Sequence, residues 1–183
     1  MKILEMDIKF LKENCTEDPW HHGVGFIKLR MKGYELNFHS ELIASPTKNL
    51  HSHTKNFIST CLFGKIKNVI YKYEEASNSD WVVERVTCQA GKAPAMVCNN
   101  IIVTVESEEI QNEGDTIFHR YSNIHDIELL SKHACTKVLN EGRIEDAFVI
   151  RNKNKEFECA YKNLGSPKEN WDIIETILKE KGA

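Results

Sequence analysis

Apolar and polar positions alternate over short runs through the middle of the chain, and turn residues separate the runs. Between Val24 and Tyr161 the β-rich runs are 24–31, 34–39, 56–63, 65–73, 81–88, 100–106, 116–118, 124–130, 134–139, 145–150 and 156–161. Their boundaries carry Gly33, Pro46-Thr47-Lys48-Asn49, Gly64, Ser77-Asn78-Ser79-Asp80, Gly91, Asn112-Glu113-Gly114, Gly142 and the stretch Asn152 to Asn154. Short strands at such spacing predict an all-β sandwich or barrel, here placed at about 24–161. The ends read differently. Ile3, Leu4, Ile8, Phe10 and Leu11 share roughly one helical face, so 3–14 predicts a short amphipathic helix, with a strand as the alternative. Ser166-Pro167-Lys168-Glu169 is a capping box with proline at the first helical position. It opens a helix over about 167–181, whose Trp171, Ile174, Ile177 and Leu178 recur at helical spacing and are expected to pack across the outside of the barrel. No repeat or linker is visible, so residues 1–183 are expected to form a single domain.

Composition narrows the class. The formal net charge is -3 and basic residues are scattered, so no nucleic-acid polymer is expected as a partner. No apolar run approaches the ~20 residues of a membrane helix, so no membrane partner is expected. Glu5 and Asp7 interrupt the start where a signal peptide would be apolar, which predicts a cytoplasmic protein. Cys15, Cys61, Cys88, Cys98, Cys135 and Cys159 form no CxxC pair and read as small buried hydrophobes. No G-x-S-x-G, GxGxxG or P-loop sequence occurs, which leaves hydrolase, dinucleotide and nucleoside-triphosphate chemistry without local support.

The chemistry concentrates in His51-Ser52-His53 and in His125. Two residues one apart on a strand point to the same side, so the two imidazoles can converge on one ion. If that side is the interior, Lys55, Phe57, Ser59 and Cys61 follow it inward by parity, and Ile127 and Leu129 share the inward face of His125. His119 is the alternative ligand, with Tyr121 to Asn123 expected to bend the chain between it and His125. Lys55 and Arg120 are candidates for holding an anion at the pocket rim, against a default of solvated surface charge. Cys61 reads as a buried structural thiol. His21-His22 reads as an exposed loop, with a place at the pocket mouth as the lesser alternative, His39 and His133 as ordinary strand residues, and Tyr71 and Tyr73 as one face of a strand.

These two blocks resemble the paired motifs of the cupin superfamily, G-x5-H-x-H-x3,4-E-x6-G and G-x5-P-x-G-x2-H-x3-N. His51, His53 and Gly64 match the first, and Gly114 and His125 match the second. Ser45 stands at the leading glycine of the first motif and Phe57 at its glutamate. Arg120, Ser122 and Leu129 replace the proline, glycine and asparagine of the second. The resemblance spans roughly 34–139 and implies a double-stranded β-helix, or jelly-roll barrel. It further implies one divalent transition metal on His51, His53 and His125, with Fe(II) favoured and manganese, nickel or zinc as alternatives. A set of three histidines is similar to the thiol dioxygenase branch, which implies an iron-dependent oxidation of a small anionic or thiol substrate. The whole chain also resembles small cupins encoded by bacteria and their phages. That points to a second function, capture of a small metabolite or nucleotide without turnover. A third reading is a structural β-protein with a filled interior. A homodimer through barrel edges is the expected assembly.

Overall fold

The computed structural model describes residues 6–22, 24–43, 50–86, 95–142, 146–154 and 164–181. In chain order these form α1 (Ile8–Asn14), β1 (Trp20–His22), β2 (Phe26–Met31), β3 (Tyr34–Ser40), β4 (Leu50–His51) and β5 (Asn56–Phe63). Next come β6 (Lys65–Glu75), β7 (Trp81–Val86), β8 (Ala95–Cys98), β9 (Ile101–Asn112) and β10 (Thr116–His119). The chain continues with β11 (Ile124–Leu129), β12 (His133–Glu141), β13 (Ala147–Asn152) and α2 (Pro167–Glu180). The expected strand at 156–161, Ser45 and the turn at 46–49 lie outside the described residues.

Two antiparallel sheets make up the body. The first has the order β1-β2-β3-β12-β5-β10, and the second the order β8-β7-β13-β4-β11-β6-β9. The architecture is mainly β and jelly-roll-like, but the described strands do not close into one cylinder. The reason is local: the chain leaves one sheet and enters the other through breaks at 52–55, Gly64 and 120–123, where the ladders stop. Gly64 makes the turn from β5 to β6 with φ +78°, and a Cβ there would overlap the His133 carbonyl oxygen on β12. Only glycine combines that φ with that closeness.

Alternation decides which face does what. On β2, Ile27, Leu29 and Met31 are buried on one face, while Phe26, Lys28 and Arg30 line the opposite, cavity face. The apolar face joins Leu36 and Phe38 of β3, Leu62 and Phe63 of β5, Leu11 of α1, and Ile174 and Ile177 of α2 in the main core. The C-terminal helix therefore packs on the outside of the first sheet, held at its start by the Ser166–Glu169 capping box. At its end, His133 Nε2 lies 2.9 Å from a Glu180 carboxylate oxygen, while His133 Nδ1 meets Ser40 Oγ at 2.8 Å. The N-terminal helix begins at Ile8 with Asp7 as its cap, and residues 1–5 are not described. A smaller core of Val83, Ile101, Ile124 and Ile150 belongs to the second sheet. No helix of the described residues is long and apolar enough to cross a membrane.

Candidate metal centre and its cavity

The site sits at one corner of the sandwich, where two sheet-to-sheet crossings run side by side. The first crossing leads from β4 to β5 and the second from β10 to β11. Backbone and side-chain bonds lock them together: His53 N–H donates to the Tyr121 carbonyl at 3.0 Å, and Tyr121 N–H donates to Asn56 Oδ1 at 2.9 Å. Ser52 points away from the site and exchanges two hydrogen bonds of 2.8 Å with Phe148. The strand itself ends at His51, so the expectation of both histidines within one strand is corrected. His53 lies just beyond the strand's end and still keeps the parity, because Ser52 and His53 make ladder-like backbone bonds.

His51 and His125 are direct cross-strand partners on β4 and β11. Their imidazoles and that of His53 converge, with ring centroids 4.8–5.1 Å apart. One nitrogen from each lies within 4.8 Å of the other two, with His125 buried and His51 and His53 half-buried. His53 Nε2 and His125 Nε2 face each other at 2.7 Å. Ligands about 2.1 Å from a shared ion sit about 3 Å from each other, so modest rotation of these rings makes a site. Burial, reinforced by the neighbouring histidines, pushes His53 and His125 well below the usual imidazole range. The two rings are therefore neutral; one Nε2 donates to the other in the 2.7 Å contact, so ligation through both would move that proton to Nδ1. Three imidazole donors facing one point, with no carboxylate among them, fit a divalent ion. His125 Nδ1 is buried without a hydrogen-bond partner among the described residues.

Phe57, at the place of the expected glutamate, packs edge-on against His53 at 4.6 Å and closes one side of the group. His119 stacks on Phe57 at 4.5 Å and 13° and lies 5.4 Å from the His125 ring. It borders the triad without joining it, and burial lowers its pKa to about 4. A cavity of about 740 Å³ opens between the sheets from this corner. Lys55, Phe57, Ser59 and His119 line it, but two other sequence candidates do not. Arg120 is exposed, swung outward by the turn in which Asn123 N–H donates to its carbonyl. Cys61 lies beyond the lining, its thiol 3.3 Å from the Phe63 carbonyl and pushed up to about 11 by burial, a structural residue.

The opposite wall was missed by reading along the chain. His22 is buried on β1 and lines the cavity, which corrects the exposed-loop expectation for His21-His22. Lys28, Glu35, Asn37, His39, Asn68, Thr136 and Asn140 join it. The alternation of β2 and β3 could have flagged Lys28, Asn37 and His39 as one face, because their intervening neighbours are all apolar. Glu35 holds Lys28 Nζ at 3.0 Å and Arg30 Nε at 3.4 Å. Burial would raise this carboxyl, but Lys28 and the hydrogen bonds it receives outweigh that and keep it ionised.

The two sheets and the convergent histidines are compatible with a cupin-like fold. No family model matches the chain, and no curated protein matches it.

Proposed function

We propose that this chain is a cupin-type mononuclear metalloprotein that oxidises a small anionic or thiol substrate with dioxygen. His51, His53 and His125 would hold the ion, with Fe(II) favoured and manganese, nickel or zinc able to use the same donors. The observation that carries the reading is the meeting of three imidazoles from two chain crossings at one corner of the sandwich. When bound, the ion supplies a Lewis acid and a redox centre. The chain supplies the rest. Phe57 fills the place where a carboxylate would offset the charge, so the site keeps its full positive charge and favours an anion. The sheets enclose the substrate in the cavity and limit its contact with water, and Lys55 on the lining adds a cation.

Phe57 also favours a second reading, a cavity that captures a small metabolite or nucleotide without turnover, because the histidine set is leaner than the family motif. Metal analysis of chain purified without chelator separates the two from a metal-free protein. We expect close to one ion per chain in the parent and a large loss in His53→Ala. Traces alone in both would reject the metal centre. Oxygen uptake with a thiol panel then tests turnover, and silence across the panel favours capture.

A further inference from the structure

Across the cavity from the triad, the ladder of β1, β2 and β3 builds a second surface. Its register sets Trp20, Lys28 and Asn37 in one cross-strand row and His22, Phe26 and His39 in the next. All six side chains line the cavity. One row is a run of rings: His22 and Phe26 stack at 4.8 Å and 12°, and Phe26 and His39 follow at 5.5 Å. The other row carries a cation whose one acidic neighbour, Glu35, also serves Arg30. Two atoms of these side chains, Asn37 Oδ1 and His39 Nε2, are buried with no hydrogen-bond partner among the described residues.

We infer that this surface recognises a planar aromatic carboxylic acid. The ring lies along His22, Phe26 and His39, and the carboxylate meets Lys28 beside Glu35. Lys28, already shared with Glu35, suits one carboxylate better than a polyphosphate, and a row of three rings suits an aromatic ring better than a sugar. A hydroxyl beside the carboxylate would point to the histidines; that last part rests on the metal reading, and the rest does not.

Titration calorimetry on chelated and on metal-loaded chain tests both parts with benzoate, 2-hydroxybenzoate, cyclohexanecarboxylate and benzamide. In the chelated chain, benzoate should bind about tenfold or more tightly than the saturated acid or the amide. Lys28→Met should weaken benzoate by about tenfold, and Lys28→Arg should keep most of the affinity. Metal loading should strengthen 2-hydroxybenzoate selectively. Equal binding of the three simple probes by the parent, or Lys28→Met binding benzoate as the parent does, would overturn the proposal. Benzoate preference without any metal effect would instead overturn the placement of the hydroxyl toward the histidines and leave the Lys28 surface standing, while metal content alone decides the metal reading.

Discussion

His39 shows how a single buried ring ties stability to pH. Burial lowers its pKa from the ordinary 6.5 to about 4, and burial with the charge of Lys28 lowers His22 to about 3. Folded, both rings stay neutral through mildly acid pH; unfolded, both take a proton near 6.5. The unfolded chain therefore binds more protons between pH 6.5 and about 4, so stability is whole above 6.5 and drains as pH falls. Each ring contributes a slope of up to ~1.4 kcal/mol per pH unit in that window. Urea unfolding of the metal-free chain from about pH 7 to about pH 4.5 should show this loss. His39→Gln, which carries no titrating proton, should flatten the slope by about one ring's share. An unchanged slope would mean that His39 is not protonated on unfolding in the way its burial requires.

At the scale of elements, the turns into and out of the sheets are where sequence and geometry are most tightly bound. Gly64→Ala would drive a Cβ into the His133 carbonyl oxygen and to 2.7 Å from Ala134 Cα, both backbone atoms of β12. Backbone cannot rotate away as a side chain can, so we expect a loss of about 3 kcal/mol or more in chemical denaturation. Gly114→Ala, also at positive φ but with nothing within 4 Å of its Cβ, should cost only the strain of about 1 kcal/mol. Equal losses at the two positions would show that φ, and not the contact with β12, is what Gly64 serves. Both glycines, like His51, His53 and His125, were visible in the chain because their signals are local: a turn residue, a parity, a spacing. β2, β3, β5, β6 and β11 were visible for the same reason, through alternation. The short pieces were not. β1 is three residues behind Pro19 and reads as a loop. Its burial comes from pairing with β2, which is invisible from its own composition. Of the two cations the sequence offers for the cavity, Lys55 lines it and Arg120 does not. Register also brings Lys28 to the cavity from far away in the chain, while a tight turn carries Arg120 outside.

For the whole molecule, the apolar core and the candidate site lie on opposite faces of the first sheet. α1 and α2 seal the outer face with Leu11, Ile174 and Ile177, all fully buried. The cavity between the sheets mixes His, Asn, Lys and Glu side chains with apolar ones such as Phe26, Phe57, Ile127 and Val138. His51 and His125 belong to the second sheet, and His53 to the crossing that leads into the first. An ion on these three would cross-link the second sheet to the crossing that enters the first, and binding to the folded state alone stabilises it by mass action. Free metal at a hundred times its dissociation constant adds about 2.7 kcal/mol, which raises the melting temperature by several degrees for a chain of this size. Scans of chelated chain titrated separately with iron(II), manganese, nickel and zinc should show such a rise for at least one ion. His53→Ala and His125→Ala should melt cooperatively, because the helix-backed core is untouched, but should gain nothing from metal. A rise of the same size in these variants would place the ion elsewhere on the surface, and no rise with any of the four ions would remove the triad as a metal centre.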